Sequence, residues 1–562
     1  MSVSQATPTG PRARGSLRWG IALLATVALI VTGSGLVAFA ASGTGPSRSA
    51  EWTPAGTPIL VIGRSDLPGG QEEALASAMT AFPGFADDGS FRMKLEQGLD
   101  GFIGDATNGA VTYSGEIKSF FSGEIGLALP NVMEAAMAGA DDPDILLGFS
   151  ISDRAAAESF VTLMTANAGD AMTEEDYGGS TIVGDGSASL AVTDEWILVS
   201  NVADLVKAGL DVLSGAAPSL AASEDYQAAA ARVPEGHIAQ AYMNLSSFGD
   251  LITLGLQAAG PQAAGVFTPD MLEQLPTDMI AYLAAGPDTM TIEAFITPGM
   301  ATEPMLVGES DLATAFPAST QVYFETRELG AGIATGLSTL LESLPPEDAA
   351  QLAPFEDMLG TDITEFFDFM GDTAVGASLA DDALWVGIVS DVTDNTVAAT
   401  RLERILSLVR LLGAGAEAGI SLEEEVVNGA TVTTITLPVE EVTGDVPLPF
   451  DIGETVTVAV ADGQFLLGTG DFVATSLGLD EVDSLALNPG YVDALGDDTT
   501  NSGVMYAAVG DLLMTIDPLL SLMVPEWTDV SPWVQGLDRF IAVGGTDDDV
   551  ISTRMTLHVE AQ

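Results

Sequence analysis

The sequence predicts an α+β protein with two tandem copies of one antiparallel-sheet unit, helices packed on one face of each sheet, and one N-terminal transmembrane helix before them. Three observations lead to this fold class. Alternating apolar segments separated by turn residues recur along the chain, as in antiparallel strands, and a few helical stripes interrupt them. Similar blocks recur in the same order in both halves of the chain. An uncharged run lies near the N-terminus.

The N-terminal run, Ile21 to Ala41, is long enough to cross the ~30 Å hydrocarbon layer of a bilayer. Three arginines precede it and only Arg48 follows closely, a bias that places the N-terminus in the cytoplasm. The prediction is a cytoplasmic basic tail at 1–19, a transmembrane helix or signal peptide at 20–41 and a flexible linker at 42–51, rich in Gly, Ser and Thr.

A cleaved signal peptide is the alternative to an anchor. Ala38-Phe39-Ala40 resembles a signal-peptidase site, although the run is longer than the usual apolar core of about 7–15 residues. An uncleaved anchor predicts a single-pass protein of the cell membrane, and cleavage predicts a secreted one. Both interpretations put the bulk of the chain outside the cytoplasm.

Self-comparison divides the remainder into repeat unit 1 at 52–298 and repeat unit 2 at 305–562. The paired blocks keep their order at offsets of roughly 240–270 residues. They include Phe120-Phe121 before Gly123–Leu129 against Phe366-Phe367 before Gly371–Leu379, Ala191–Leu198 against Ala459–Leu466, and Tyr226 and Tyr242 against Tyr491 and Tyr506.

Within the units, Ala188 to Ser200 and Val426 to Leu437 alternate like strands. Asp194-Glu195 and Asp462-Gly463 fall where hairpin turns are needed. Val397 to Leu412 carries one apolar stripe at helical spacing, and Ser223 is a predicted helix N-cap.

The chain has 80 acidic residues against 17 basic ones, a formal net charge of −63. Such a surface repels nucleic acid and attracts cations or basic protein partners. The acidity has two explanations, solubility in a saline medium or specific cation binding. The chain has no cysteine, which excludes disulfides and thiolate metal sites.

No catalytic or cofactor-binding motif is present, so no catalytic or cofactor-binding residue is predicted. The chain has only two histidines, His237 and His558, and it has neither a P-loop nor a Gly-x-Ser-x-Gly elbow. The leading hypothesis is a non-enzymatic binding or scaffold module of the cell envelope, anchored in the membrane through the N-terminal helix.

Several acidic runs, among them Glu423-Glu424-Glu425, are predicted to be solvated turn residues. Ca²⁺ needs six to eight oxygens from a folded-back loop, and no run has EF-hand spacing. If any run binds Ca²⁺, the candidates are those between predicted strands, namely Asp141, Asp142 and Asp144, and Asp547, Asp548 and Asp549.

Two further hypotheses stay open. The apolar segments Phe248 to Gln274 and Leu512 to Val524 could line a groove for an apolar ligand or lipid held between sheet and helices. Paired carboxylates could also serve a hydrolase, but sugar-cleaving sites usually add exposed aromatic residues, and only 6% of this chain is aromatic.

Two segments resemble a known family. They are Gly123 to Leu129 after an aromatic pair, and Ser223 to Leu245 with the strand and helix before it. Together they resemble the bacterial domain-of-unknown-function family 3352, over about Thr53 to Val559. The resemblance implies an exported or single-span envelope protein and implies neither a reaction nor a ligand.

Overall fold

The computed structural model describes residues 47–560 except 66, 84, 86–87, 108–110, 133–134, 136–142, 169–171, 250–274, 300–304, 344–352, 381–382, 416–419, 437–454 and 525–526. Within these residues the chain divides into two compact units, the first at 47–80, 85–249 and 275–299 and the second at 81–83 and 305–560. The run predicted to cross a membrane lies outside the described residues. Among the helices that are described, none is long and apolar enough to do so.

The first unit has ten strands and five α-helices among the described residues. The strands are β1 (Ile59–Arg64), β2 (Phe121–Leu129), β3 (Leu146–Ile151), β4 (Thr173–Tyr177), β5 (Ser180–Gly184), β6 (Ser189–Val192), β7 (Trp196–Ser200), β8 (Ala239–Asn244), β9 (Asp278–Ala285) and β10 (Thr289–Thr297). The helices are α1 (Gln71–Met79), α2 (Asp88–Thr107), α3 (Arg154–Ala168), α4 (Ala203–Leu213) and α5 (Glu224–Ala230).

The second unit has ten strands and seven α-helices in its described part. The strands are β11 (Val322–Thr326), β12 (Met370–Ala380), β13 (Ala383–Val392), β14 (Ser421–Val427), β15 (Ala430–Thr436), β16 (Thr455–Ala461), β17 (Gln464–Thr469), β18 (Gly503–Ala507), β19 (Leu537–Asp547) and β20 (Val550–Val559). The helices are α6 (Leu329–Ser343), α7 (Ala353–Leu359), α8 (Asn395–Gly415), α9 (Phe472–Leu477), α10 (Pro489–Leu495), α11 (Val509–Met523) and α12 (Trp527–Val534).

Both units have the same strand order. In the first, the strands pair in the order β10-β9-β8-β1-β2-β3-β7-β6-β5-β4, and every pairing is antiparallel. In the second, the order is β20-β19-β18-β11-β12-β13-β17-β16-β15-β14, again antiparallel throughout. The prediction of a mixed fold with antiparallel sheets and helices is therefore confirmed.

The local predictions fall on these elements. Asp194-Glu195 joins β6 to β7, and Asp462-Gly463 joins β16 to β17 with positive φ at both residues. The predicted strand Val426 to Leu437 is instead split between β14 and β15, because Asn428 and Gly429 both adopt positive φ and turn the chain. The predicted helix Val397 to Leu412 lies inside α8.

Helices cover both faces of the second sheet, so the prediction of a single covered face is wrong. Leu466 belongs to a core cluster with residues of α9 and α10, whereas its strand neighbour Phe465 belongs to another with Ala398 and Leu406 of α8. Consecutive strand residues point to opposite faces, so the clusters lie on opposite sides of the sheet. Strands covered on both faces are apolar at consecutive positions, which obscures the alternation that sequence reasoning relies on.

In each unit, aromatic rings pack directly on strand glycines. Trp52 is fully buried, and its ring packs against Gly126 and Gly148, which pair with each other in β2 and β3. A Cβ atom on either glycine would lie within 2.7 Å of the ring. In the second unit Phe472 covers Gly387 and Gly468 in the same way. Glycine is required at these strand positions because any side chain would occupy the space of the ring.

The strands at one end of each sheet, β4 and β14, each pair with a single neighbour in the described structure. Glu174, Glu175 and Asp176 of β4 are exposed, and so are Glu423 to Glu425 of β14. The second run was predicted to lie in a turn. It forms an exposed edge strand instead, solvated as predicted but with extended backbone.

Candidate functional site

A polar cavity of about 180 Å³ lies in the second unit. We call it the unit 2 cavity. The loop at 318–320, the start of α10, the end of β18, the first turn of α11 and the start of β19 surround it. The side chains that matter for its chemistry are Asn488, Tyr506, Asp511, Asp538 and Arg539.

Asn488 builds one wall of this cavity. As the N-cap of α10, its Oδ1 accepts hydrogen bonds from the backbone amides of Gly490 (2.8 Å) and Tyr491 (3.2 Å). Its Nδ2 donates to the carbonyl oxygen of Ala318 at 2.8 Å. One side chain thus ends the helix and holds the 318–320 loop against it, with Pro489 favouring the first helical position.

Tyr506 contributes a hydroxyl with no hydrogen-bond partner among the described residues. Its side chain is 3% exposed, and its ring packs edge-to-face on Tyr491 with 5.2 Å between centroids. Burial raises the pKa of the Tyr506 hydroxyl, Asp538 and Asp511 raise it further, and Arg539 opposes them. The hydroxyl is therefore neutral at physiological pH and can both donate and accept a hydrogen bond.

Charge around the unit 2 cavity is mostly negative. A terminal nitrogen of Arg539 lies 3.0 Å from Asp538, and the other terminal nitrogen pairs with Asp493. The buried Nε of Arg539 has no partner in the described structure. Asp511, in the first turn of α11, adds a third carboxylate. Three carboxylates against one guanidinium leave an excess of negative charge.

Gly490 leaves part of this space open. A Cβ atom on it would lie 3.4 Å from both the Tyr506 hydroxyl and a terminal nitrogen of Arg539. The glycine therefore stands where a longer side chain would fill the space between the tyrosine and the arginine.

The corresponding place in the first unit carries different charges. Tyr242 pairs with Ile280 as Tyr506 pairs with Ile541, so Asp278 corresponds to Arg539. Asp278 is buried and accepts hydrogen bonds from the Thr277 and Thr297 hydroxyls at 2.9 and 3.0 Å.

The helix caps differ as well. Two residues after the N-cap of α5, Ser223, comes Asp225, whereas Gly490 comes two residues after Asn488. Ser223 occupies the predicted N-cap position, but its side chain makes no capping hydrogen bond.

A second polar site, in the first unit, holds the start of the described chain. Glu124 is 7% exposed, and its carboxylate accepts hydrogen bonds from the backbone amides of Arg48 (2.9 Å) and Ser49 (2.6 Å) and from the hydroxyls of Ser49 (2.6 Å) and Ser47 (3.2 Å). We call this arrangement the N-terminal clasp. Burial raises the pKa of Glu124, while the Ser49 and Arg48 hydrogen bonds and the charge of Arg64 oppose the increase.

The N-terminal clasp shows that the predicted boundary between the flexible linker and the first unit lies too late in the chain. Residues 47–51 were assigned to a flexible linker from their composition, but Ser49 and Ala50 are buried and Ser49–Glu51 forms a 3₁₀ turn. The side chain of Arg48 adds ion pairs to Glu51 (2.8 Å) and Glu195 (2.7 Å). A partner more than seventy residues away in sequence, Glu124, orders this segment, and composition carries no signal of that contact.

A third polar group is buried beside the strands of the second unit. Arg327 is 5% exposed at its side chain and forms ion pairs with Glu325 (2.6 Å) and Asp372 (3.0 Å). It also donates to Asn501 and to the carbonyl oxygen of Gly308. These groups satisfy one another, so the network reads as structural rather than as a binding site.

The predicted calcium ligands fall on three kinds of position. Asp141 and Asp142 lie outside the described residues. Asp144 is half-buried and accepts a hydrogen bond from Asn131 Nδ2 at 3.2 Å. Asp547 ends β19, and Asp548 and Asp549 form the β19–β20 turn, with positive φ at Asp548; all three are exposed. In the described part of the chain, no group of three or more His, Asp or Glu side chains is placed to hold a metal ion.

Sequence reasoning did not single out the cavity residues. The only available signal was the alignment of Tyr242 with Tyr506, since the residues around those tyrosines differ in charge between the repeats.

No curated protein matches the chain. Among solved structures, crystal form I of TP0453 is similar with 10% identity and a TM-score of 0.25, over 46% of this chain and 81% of that one. Crystal form III of TP0453 gives 12% identity and a TM-score of 0.24, over 46% and 82%. Likenesses at this level carry no argument about fold or function. A family model described as "Protein of unknown function (DUF3352)" matches residues 21–559, so the chain belongs to that family, as the sequence resemblance predicted.

Proposed function

We propose that this protein is a membrane-anchored, extracytoplasmic binding or scaffold module of the cell envelope without a catalytic role of its own. The N-terminal clasp is the observation that carries this proposal. The predicted span ends at Ala41 and the clasp begins at Ser47. The six Cα–Cα steps from Ala41 to Ser47 reach at most about 22 Å, so the clasp would hold the first unit close to the extracytoplasmic surface of the membrane.

The matching strand orders support the interpretation of the two units as copies of one repeat, at 52–298 and 305–562. The same ten-strand order and the same tyrosine pairing recur at matching positions. Duplication would place two similar sheets on one anchor, and their differences in charge would allow different binding partners.

Cell fractionation tests the anchor. The full chain with a C-terminal epitope is expected in the membrane fraction after an alkaline carbonate wash, with the epitope open to protease on intact cells. Val27→Arg with Leu29→Arg should abolish this location, since each arginine costs about 2.5–3.5 kcal/mol at the centre of a span. The matched control, Val27→Leu with Leu29→Ile, should behave like the original chain.

The mass of the mature protein distinguishes anchor from signal peptide, because cleavage after Ala40 removes the first forty residues. A full-length chain that is washed off membranes, or an epitope that protease reaches only after lysis, would contradict the proposal.

A second candidate function is the binding of an apolar ligand or lipid. Helix α11 is rich in apolar residues, yet none of its described side chains is fully buried, and Met514 is 69% exposed. Exposed apolar surface of this kind often marks an interaction site. Mass spectrometry of the purified protein should find a co-purifying lipid that Met514→Glu reduces. Reproducible absence of lipid would remove this candidate.

A further inference from the structure

The unit 2 cavity combines a tyrosine hydroxyl that has no described hydrogen-bond partner with an excess of negative charge. Tyr506 is almost fully buried, lines the cavity, and has no hydrogen-bond partner within the described structure. A ligand in the cavity could therefore supply this hydroxyl with a hydrogen-bond partner.

The size of the cavity limits the ligand. About 180 Å³ is smaller than the ~300–1,000 Å³ typical of sites for drug-sized molecules. A lipid or a drug-sized molecule is therefore too large for it. A single small group, such as the end of one side chain, fits inside it.

The charges limit the ligand further. Asp511 and Asp538 line the cavity and Asp493 lies behind Arg539, so an anion would meet more repulsion than attraction. A hard metal ion needs six to eight oxygens, and the described residues bring no third metal-ligating side chain to these carboxylates. A primary ammonium group is a compact charge with three donors, which two carboxylates and a tyrosine oxygen can accept.

The first unit supplies a comparison without these features. Asp278 replaces Arg539 and is satisfied by two threonines, and Asp225 follows the helix cap where Gly490 leaves space. The Tyr242 hydroxyl is also fully enclosed, so binding that uses the cavity is expected only at the second unit.

We propose that the unit 2 cavity binds a primary alkylammonium group, with Asp511 and Asp538 accepting its N–H donors and the Tyr506 oxygen accepting the third. Arg539 positions Asp538 for this role. The group could be the end of a lysine side chain on a basic partner or a free small amine. This inference deepens the proposed binding role and is independent of the anchor, because titration measures ammonium binding and fractionation measures membrane location.

Calorimetric titration of the full chain at physiological salt tests the proposal with three probes. n-Butylammonium should saturate one site per chain. Butyrate should not bind, because of the negative charge around the cavity. Tetramethylammonium has the charge without N–H donors and should bind at least tenfold more weakly; equal binding of the two cations would show general attraction to the acidic surface and overturn the proposal.

Variants locate the site. Tyr506→Phe should weaken n-butylammonium binding about three- to tenfold, and Asp511→Asn at least tenfold, because the second removes a charged acceptor. The matched controls in the first unit are Tyr242→Phe and Asp204→Asn, the latter removing a first-turn carboxylate from α4. Both should leave the affinity unchanged.

Two further measurements check the stability of the variants and the origin of the bound ammonium group. Tyr506→Phe removes a hydroxyl without a described partner, so thermal unfolding should not change, and a loss of binding cannot be attributed to misfolding. Binding of Nα-acetyl-lysine N-methylamide, which keeps its ε-ammonium group, at least as tight as that of n-butylammonium would indicate a lysine side chain. Tighter binding of n-butylammonium would indicate a small free amine. No saturable binding of n-butylammonium, or equal losses in Tyr242→Phe and Tyr506→Phe, would overturn the proposal.

Discussion

Tyr242 in the first unit and Tyr506 in the second occupy the same place in their sheets, and each packs edge-to-face on a second tyrosine. The centroid distances are 5.1 Å for Tyr226–Tyr242 and 5.2 Å for Tyr491–Tyr506, with interplanar angles of 84° and 85°. The neighbouring charges differ, since an aspartate in one unit corresponds to an arginine in the other. The aromatic packing of the repeat is therefore maintained, while the polar groups around it have diverged.

The largest expected effect comes from breaking the buried ion network of Arg327, Glu325 and Asp372, which tests whether that network stabilises the second unit. Arg327→Ala would leave Glu325 buried without its cation and is expected to lower the free energy of unfolding by about 3–5 kcal/mol. Urea denaturation measures this loss. The double variant Arg327→Met with Glu325→Gln removes the two most buried charges and leaves the less buried Asp372, so it should recover most of the loss. No recovery would mean that the cost does not come from the unpaired charge of Glu325.

Replacing Trp52 or Phe472 by alanine tests whether the stability of each sheet depends on the aromatic ring that packs on its paired glycines. Trp52→Ala should destabilise the first unit by about 3–5 kcal/mol, because the cavity it leaves lies over bare backbone. Hydrogen exchange should show lost protection in β2 and β3 and unchanged protection in β13 and β17. Phe472→Ala should give the reverse pattern, and uniform loss in both units would show that the two sheets unfold as one.

The N-terminal clasp gives a pH-dependent prediction. Burial raises the pKa of Glu124 above its ordinary value of 4.5, so the folded state holds this proton more tightly than the unfolded state. The stability from this group is therefore full below pH 4.5 and is lost as pH rises through the raised folded pKa. The destabilisation by Glu124→Gln should be larger at pH 4.5 than at pH 7.5.

Chemical denaturation across that pH range measures this difference, with the exposed-turn variant Asp549→Asn as control. A destabilisation that increases with pH would contradict the prediction, because it would mean that the hydrogen bonds favour the ionised carboxylate more than burial disfavours it.

The smallest expected effect concerns Tyr226 and Tyr242, the edge-to-face tyrosine pair of the first unit. The Tyr242 hydroxyl is buried and has no described partner, so Tyr242→Phe should be neutral or stabilising by about 1 kcal/mol. Tyr226 accepts a hydrogen bond from Gln240 at 3.2 Å, so Tyr226→Phe should cost about 0.5–1.5 kcal/mol. Thermal unfolding of the two variants compares them directly, and a larger loss in Tyr242→Phe would reveal a partner for its hydroxyl.

The sequence was informative where structure is local. Turn residues such as Asp462-Gly463 and the apolar stripe of α8 predicted their elements, because backbone conformation and helical spacing leave a signal within a few residues. The split at Asn428-Gly429 was missed although its signal is of the same kind.

Contacts between distant segments could not be predicted in the same way. The second helical layer, the clasp on Glu124 and the cavity lined by both Asp511 and Asp538 each depend on residues far apart in the chain, and a single sequence does not record such pairs. The alignment of Tyr242 with Tyr506 came closest to the candidate site, because duplication turns a spatial relation into a repeated pattern.

The exposed strands β4 and β14 carry three consecutive acidic residues each, and this has a consequence for crowding. Copies tethered to one membrane would meet at high local density, and bare sheet edges then invite strand pairing between neighbours. Carboxylates on both edges would make two such edges repel each other. The acidity expected to repel nucleic acid would thereby also keep adjacent copies separate and prevent them from joining edge to edge into a fibre.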